Sequence, residues 1–170
     1  IQQYIRFSGK ERQIWKKYGE TLKGIIESYA PGCRKEVTMH PNGLLWAQME
    51  GVALSWMNAY VYGRPVTERA GYQVETNAYW YNALCFAIDM ENKYGTKKDN
   101  AFVARWTPVR DMVKENFQPM FWREEWGYLV DFVGNGPVSQ AVRPNMLIPA
   151  YLEYCPVDDE VISEIVMTIN

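Results

Sequence analysis

The chain has 170 residues, 48% of them hydrophobic and 22% charged, which is enough apolar material for a packed core and excludes a disordered tail. Eighteen Lys and Arg against twenty Asp and Glu leave a net charge of -2 without long blocks of one sign, so neither nucleic acid nor an anionic membrane is an expected partner. The longest uncharged runs, Gly51–Gly63 and Thr76–Ile88 among them, are 13 residues each, against the roughly 20 that a spanning helix needs.

Cys33, Cys85 and Cys155 lie far apart, a spacing that suits neither a disulfide framework nor a metal knuckle. They favour a reducing compartment, and a cytoplasmic location is expected. Opening at Ile1, without Met or a signal-like leader, residues 1–170 read as a single partial domain cut from a longer protein.

In chain order, the first periodic segment is about Glu11–Tyr29. Trp15, Tyr18, Leu22, Ile25, Ile26 and Tyr29 recur at steps of three and four, and Pro31-Gly32 stops the helix. Val37–His40 and Leu44–Trp46 flank Pro41-Asn42-Gly43, a pattern for a short hairpin. A second helix is expected from Thr76 to Tyr94, ended by a left-handed Gly95. Thr96 with Asp99 has capping-box spacing for a third helix, reaching about Phe117, which Pro108 bends or delays. Gly127–Phe132 alternates like a strand, and helices follow at about Pro144–Tyr154 and Asp158–Ile169. The expected class is all-α: helical hairpins with short β-hairpins in the loops.

The composition is unusual in its aromatics: seven Trp, twelve Tyr and six Phe. They concentrate between Trp46 and Tyr81 among Asn, Arg and Glu, where rings can serve either a core or a wet groove. His40 is the lone histidine and reads as an ordinary surface residue, so triads that need a histidine base are disfavoured. Walker A, GxGxxG and HExxH patterns are absent, and neither cofactor nor metal is expected. Carboxylates and amides among aromatics remain, the equipment of a sugar site. Glu75 and Asn82 are two helical turns apart and share a face, flanked by Asn77, Tyr79, Trp80 and Tyr81. That face either lines a site or caps neighbouring loops.

Several motifs in fixed order carry a family resemblance. They are Asn42-Gly43-Leu44-Leu45-Trp46-Ala47, Gly51-Val52-Ala53-Leu54-Ser55-Trp56-Met57-Asn58-Ala59, Pro65-Val66-Thr67, Arg69-Ala70-Gly71, Val74-Glu75, Asn77-Ala78, Trp80-Tyr81-Asn82-Ala83-Leu84 and Arg143-Pro144-Asn145. Together they resemble the glucosidase domain of bacterial and archaeal glycogen debranching enzymes. The resemblance implies an (α/α)₆ toroid, of which this chain supplies part, and hydrolysis of α-1,6 branch points of glycogen or related α-glucans with inversion. It further implies sugar-binding roles for Trp56, Arg69, Asn77, Trp80, Tyr81, Asn82, Arg143 and Asn145.

The family's general acid is an Asp following the Trp-Met pair, a position filled here by Asn58. A carboxamide donates hydrogen bonds but cannot deliver a proton to a leaving oxygen. The family's base motif lies toward the end of the toroid, beyond these 170 residues, so the chain alone is expected to be inactive. Three readings of Asn58 stay open: a glucan-binding paralogue or scaffold that has lost the acid, an acid displaced to Glu50 or Glu75, or a position that only binds sugar. Uncovered helix faces in an open part of a ring would allow self-association.

Overall fold

The computed structural model describes residues 1–31, 35–95 and 100–169. Its first two helices are α1 (Gln2–Ser8) and α2 (Glu11–Glu27). Strands β1 (Val37–Met39) and β2 (Leu45–Ala47) form the expected hairpin, with Thr38 opposite Trp46. A second hairpin, β3 (Tyr60–Val61) with β4 (Arg64–Pro65), turns through Tyr62 and Gly63, both at positive φ. β5 (Gly71–Gln73) then runs directly into α3 (Val74–Tyr94).

α3 is the central element, packed between α2 and α4 (Ala101–Phe121) and buried on nearly every side. Trp80 meets Trp106 edge-on at 5.7 Å and Trp15 meets Phe86 at 6.2 Å, so aromatic rings fill both helix interfaces. Val113, Phe117 and Phe121 complete the core from α4, and the last helix, α6 (Asp159–Ile169), adds Val161 and Ile165.

Several sequence expectations change. Gly95 ends α3 in extended backbone at φ −61°, not left-handed: its missing Cβ matters because one there would collide with the Glu91 carbonyl. The Thr96–Asp99 capping box lies outside the described residues, as do Gly32 and Cys33. Instead Asn100 caps α4 by accepting from the Val103 amide at 3.2 Å. α4 starts well before Pro108 and continues through Pro108 and Pro119, because the apolar face from Trp106 to Phe121 is locked in the core. The helix expected over Pro144–Tyr154 shrinks to a 3₁₀ turn at Pro144–Leu147 and one turn of α5 (Ile148–Tyr151); Pro149, without an N–H, denies it a continuous ladder.

The larger correction concerns strands. Gly127–Phe132 is not one strand: β6 (Trp122–Arg123) pairs with β7 (Tyr128–Leu129), while β8 (Phe132–Val133) crosses to β5. The molecule therefore holds a four-stranded antiparallel sheet, β1-β2-β5-β8, where only hairpins were expected beside the helices. Leu45, Ala47, Gly71 and Gln73 face inward; Trp46 and Tyr72 face outward. Gly71, at φ +139°, is required there, since a Cβ would collide with the Val133 carbonyl and push β8 away. His40 is not a plain surface residue: it is half-buried on this outer face, stacked on Trp46, with Nδ1 2.6 Å from the Tyr72 hydroxyl.

Candidate functional site

Three loops meet where β5 enters α3: residues 50–70, the break between β7 and β8, and the turn after Arg143. Arg69 sits at their junction, buried, with its guanidinium Nη1 and Nη2 donating to Glu75 Oε1 and Oε2 at 2.5 and 2.6 Å. Nη2 also donates to the Asp131 backbone carbonyl and to its Oδ1, both at 2.9 Å. Nε lies 2.9 Å from Asp131 Oδ2, close enough for an ion pair but with its N–H aimed away from the oxygen. Burial works against the Arg69 charge, and the hydrogen bonds and charges of Glu75 and Asp131 outweigh it, holding Arg69 above its ordinary value.

Asp131, 1% exposed, is the hub. Besides Arg69 it accepts from Arg143 Nη1 at 2.7 Å and from Asn145 Nδ2 at 2.6 Å. Two guanidinium groups and two carboxylates balance to zero charge, the arrangement that makes deep burial tolerable. The sequence reading missed Asp131. Its signal is a lone acid inside the apolar run Tyr128–Val133, at the break where that run divides between two sheets.

The cluster carries the turn 55–58. Arg69 Nη1 donates to Ser55 Oγ at 3.3 Å, and Ser55 Oγ accepts from the Met57 amide at 3.2 Å. The Trp56 indole N–H donates to Asn145 Oδ1 at 3.1 Å while the ring stays 63% exposed. Asn58 follows, exposed. Beside the turn is a cleft of about 270 Å³ whose walls include Gln48, Glu50, Ser55, Glu68, Arg69 and Gln73. Glu50 is exposed on that wall; Glu75 is 2% exposed and both its oxygens are taken by Arg69.

The remaining sequence candidates do not join this surface. Asn77 is buried and works as a peptide group: its Oδ1 accepts from Leu45 N at 2.7 Å and its Nδ2 donates to the Leu45 and Gln73 carbonyls. Asn82 bridges Gln2 and the Tyr154 amide, tying α1 and the segment after α5 to α3. Trp80 is 4% exposed, its indole N–H donating to the Gly43 carbonyl at 3.0 Å, so it belongs to the core and does not rim the surface that carries Trp56. Tyr81 is half-buried on α3, where burial and the neighbouring Cys85 raise its hydroxyl well above the ordinary tyrosine value. The shared face of α3 thus caps loops at Asn77 and Asn82, and only Glu75 contributes to the cluster.

Among the described residues, no helix is long and apolar enough to cross a membrane, and no His, Cys, Asp and Glu group forms a metal-holding cluster. A comparison with curated proteins returns no match. A profile of the amylo-alpha-1,6-glucosidase family matches residues 1–170, and the chain belongs to that family.

Proposed function

We propose that, as a member of the amylo-alpha-1,6-glucosidase family, this chain supplies part of an (α/α)₆ glucosidase domain acting on α-1,6 branch points of glycogen or a related α-glucan. Its own contribution is a glucan-binding wall: the exposed Trp56 ring beside Asn58, mounted on the Arg69–Glu75–Asp131 cluster. The observation that carries this is the indole of Trp56, open to solvent on its face and fixed at its N–H by a buried amide. An amphipathic ring held in that way offers an apolar platform next to polar groups, as a sugar requires. The helix-on-helix packing of α2, α3 and α4 supports the ring architecture.

Inverting hydrolysis uses two carboxyl groups about 6.5–9.5 Å apart, one protonating the leaving oxygen and one activating water. Asn58 occupies the place of the first and cannot supply its proton. This favours a second reading within the same site, in which the chain binds glucan without cleaving it. If the intact protein is active, Glu50 is the better replacement acid, because Glu75 has no oxygen free of Arg69. The test is glucose release from an α-1,6-linked oligosaccharide alongside binding of the same sugar. Binding without release supports the non-catalytic reading; release abolished by Glu50→Gln supports a displaced acid. Absence of both binding and release refutes the glucan site.

A further inference from the structure

We infer that Asn145 is a positioning residue: it does not meet the sugar but clamps the Trp56 indole, and through it the 55–58 turn, onto the buried Asp131 hub. It is 1% exposed, so its amide has no surface to offer a ligand. Each end of that amide is committed. Oδ1 accepts the Trp56 Nε1–H at 3.1 Å, and Nδ2 donates to Asp131 Oδ1 at 2.6 Å and lies 3.4 Å from Met57 Sδ.

The chemistry of the partners fixes the amide's orientation. An indole nitrogen only donates and a carboxylate only accepts, so the bridge must present an acceptor on one side and a donor on the other. A carboxamide does both at this length. An Asp would set a carboxylate against Asp131, and an aliphatic residue would leave the indole unheld. Asn145 is itself rigid: it sits in the 3₁₀ turn begun by Pro144, flanked by the Arg143–Asp131 bond and by Met146, which is buried in the core. The exposed ring therefore inherits its placement from the interior, which removes ordering cost when a ligand stacks on it.

The role rests on Trp56 being the sugar platform, and the test separates the two ideas. In the full chain labelled with ¹⁵N, solvent exchange of the Trp56 indole N–H, identified by its loss in Trp56→Phe, should be slowed. In Asn145→Leu it should become fast while the other indole signals keep their rates. Affinity for maltoheptaose or isomaltose should fall about 3–10-fold in Asn145→Leu, the range of one neutral hydrogen bond. The same substitution made in the Trp56→Phe background should cause no further loss.

An equal loss in both backgrounds, or a Trp56 N–H that exchanges freely in the wild type, overturns the clamp. If Asn145→Leu does not fold, Trp56→Phe cuts the same bond from the exposed side and should shift the Asn145 side-chain NH₂ resonances; unmoved resonances overturn it equally. Should neither sugar bind the wild type, the sugar platform fails, and the exchange measurement still decides the clamp.

Discussion

Replacing Arg69 with methionine removes the guanidinium that touches both Glu75 and Asp131 while nearly conserving side-chain volume. Of the two carboxylates, 2% and 1% exposed, Asp131 would keep Arg143 and Asn145 as partners, whereas Glu75 has no such contact with Arg143. Glu75 would lose both donors to its oxygens, and Asp131 one donor to its side chain and one to its backbone carbonyl. Breaking a buried pair in this way costs about 3–5 kcal/mol, because a charge is left in the interior without compensation. For a chain of this size that corresponds to a fall in Tm of about 6–20 °C. Urea and thermal unfolding of wild type and Arg69→Met measure it directly. Adding Glu75→Leu removes the stranded charge and leaves Asp131 with Arg143, so the double variant should recover part of the loss. A cost for Arg69→Met under about 1 kcal/mol, or a double variant worse than the sum of its parts, would show that the cluster does not hold these loops together.

Trp56→Ala should cost about 1 kcal/mol of stability, the hydrogen bond to buried Asn145 Oδ1, since the ring itself is largely exposed, yet weaken maltooligosaccharide binding about tenfold or more in a calorimetric titration. Gly71→Ala should cost about 2–4 kcal/mol in unfolding experiments, from strain at φ +139° and collision with the Val133 carbonyl. Stability should fall as pH rises from about 9: burial raises the Cys85 thiol above its ordinary 9.0 and the Tyr81 and Tyr154 hydroxyls above their ordinary 10.0. Over that range the unfolded chain releases protons that the folded chain keeps, so the sign is a loss with increasing pH; Cys85→Ala should flatten the first part of the decline in urea midpoints measured from pH 7 to 10.5.

What could be read from the sequence follows the strength of each local signal. α2 has a one-sided apolar stripe and the β1–β2 hairpin has Asn42-Gly43, and both lie where expected. The sheet was hidden because Gly71–Gln73 and Phe132–Val133 are too short to show a period of two. On α3 the spacing of Glu75 and Asn82 placed them on one face, and of the two readings left open there, Asn77 and Asn82 follow the one in which the face caps loops. This helix is covered nearly all round, and a polar side chain on it must find an interior partner: Arg69 for Glu75, Leu45 for Asn77, Gln2 and Tyr154 for Asn82. The role of Asp131 was hidden for a related reason, although a lone acid stands out in the run Tyr128–Val133. Its meaning depends on Arg69, Arg143 and Asn145, which reach it from separate segments, and no local pattern encodes that meeting.

The placement of Asn58 has a consequence for how this site can change. Position 58 is exposed at the end of a turn, while the groups that hold the turn are buried and charge-balanced. An Asp-to-Asn exchange at an exposed position alters stability by no more than about 0.5 kcal/mol, whereas loss of a general acid removes about 10²–10⁴-fold in rate. If position 58 is the acid's seat, chemistry can be lost here without disturbing the fold, and the Arg69–Asp131–Asn145 scaffold would persist for structural reasons after catalysis had gone. The reverse also follows. Asn58→Asp in the intact protein should leave Tm unchanged and, if position 58 is the acid's seat, raise glucose release from an α-1,6-linked substrate within that range of rates. Arg69, which reaches this segment at Ser55, would work against keeping the new carboxyl protonated, but its guanidinium is already committed to two carboxylates, which blunts its pull. A wild type already fully active and indifferent to Asn58→Asp would move the acid to Glu50, on the wall of the cleft that Ser55 and Arg69 also line.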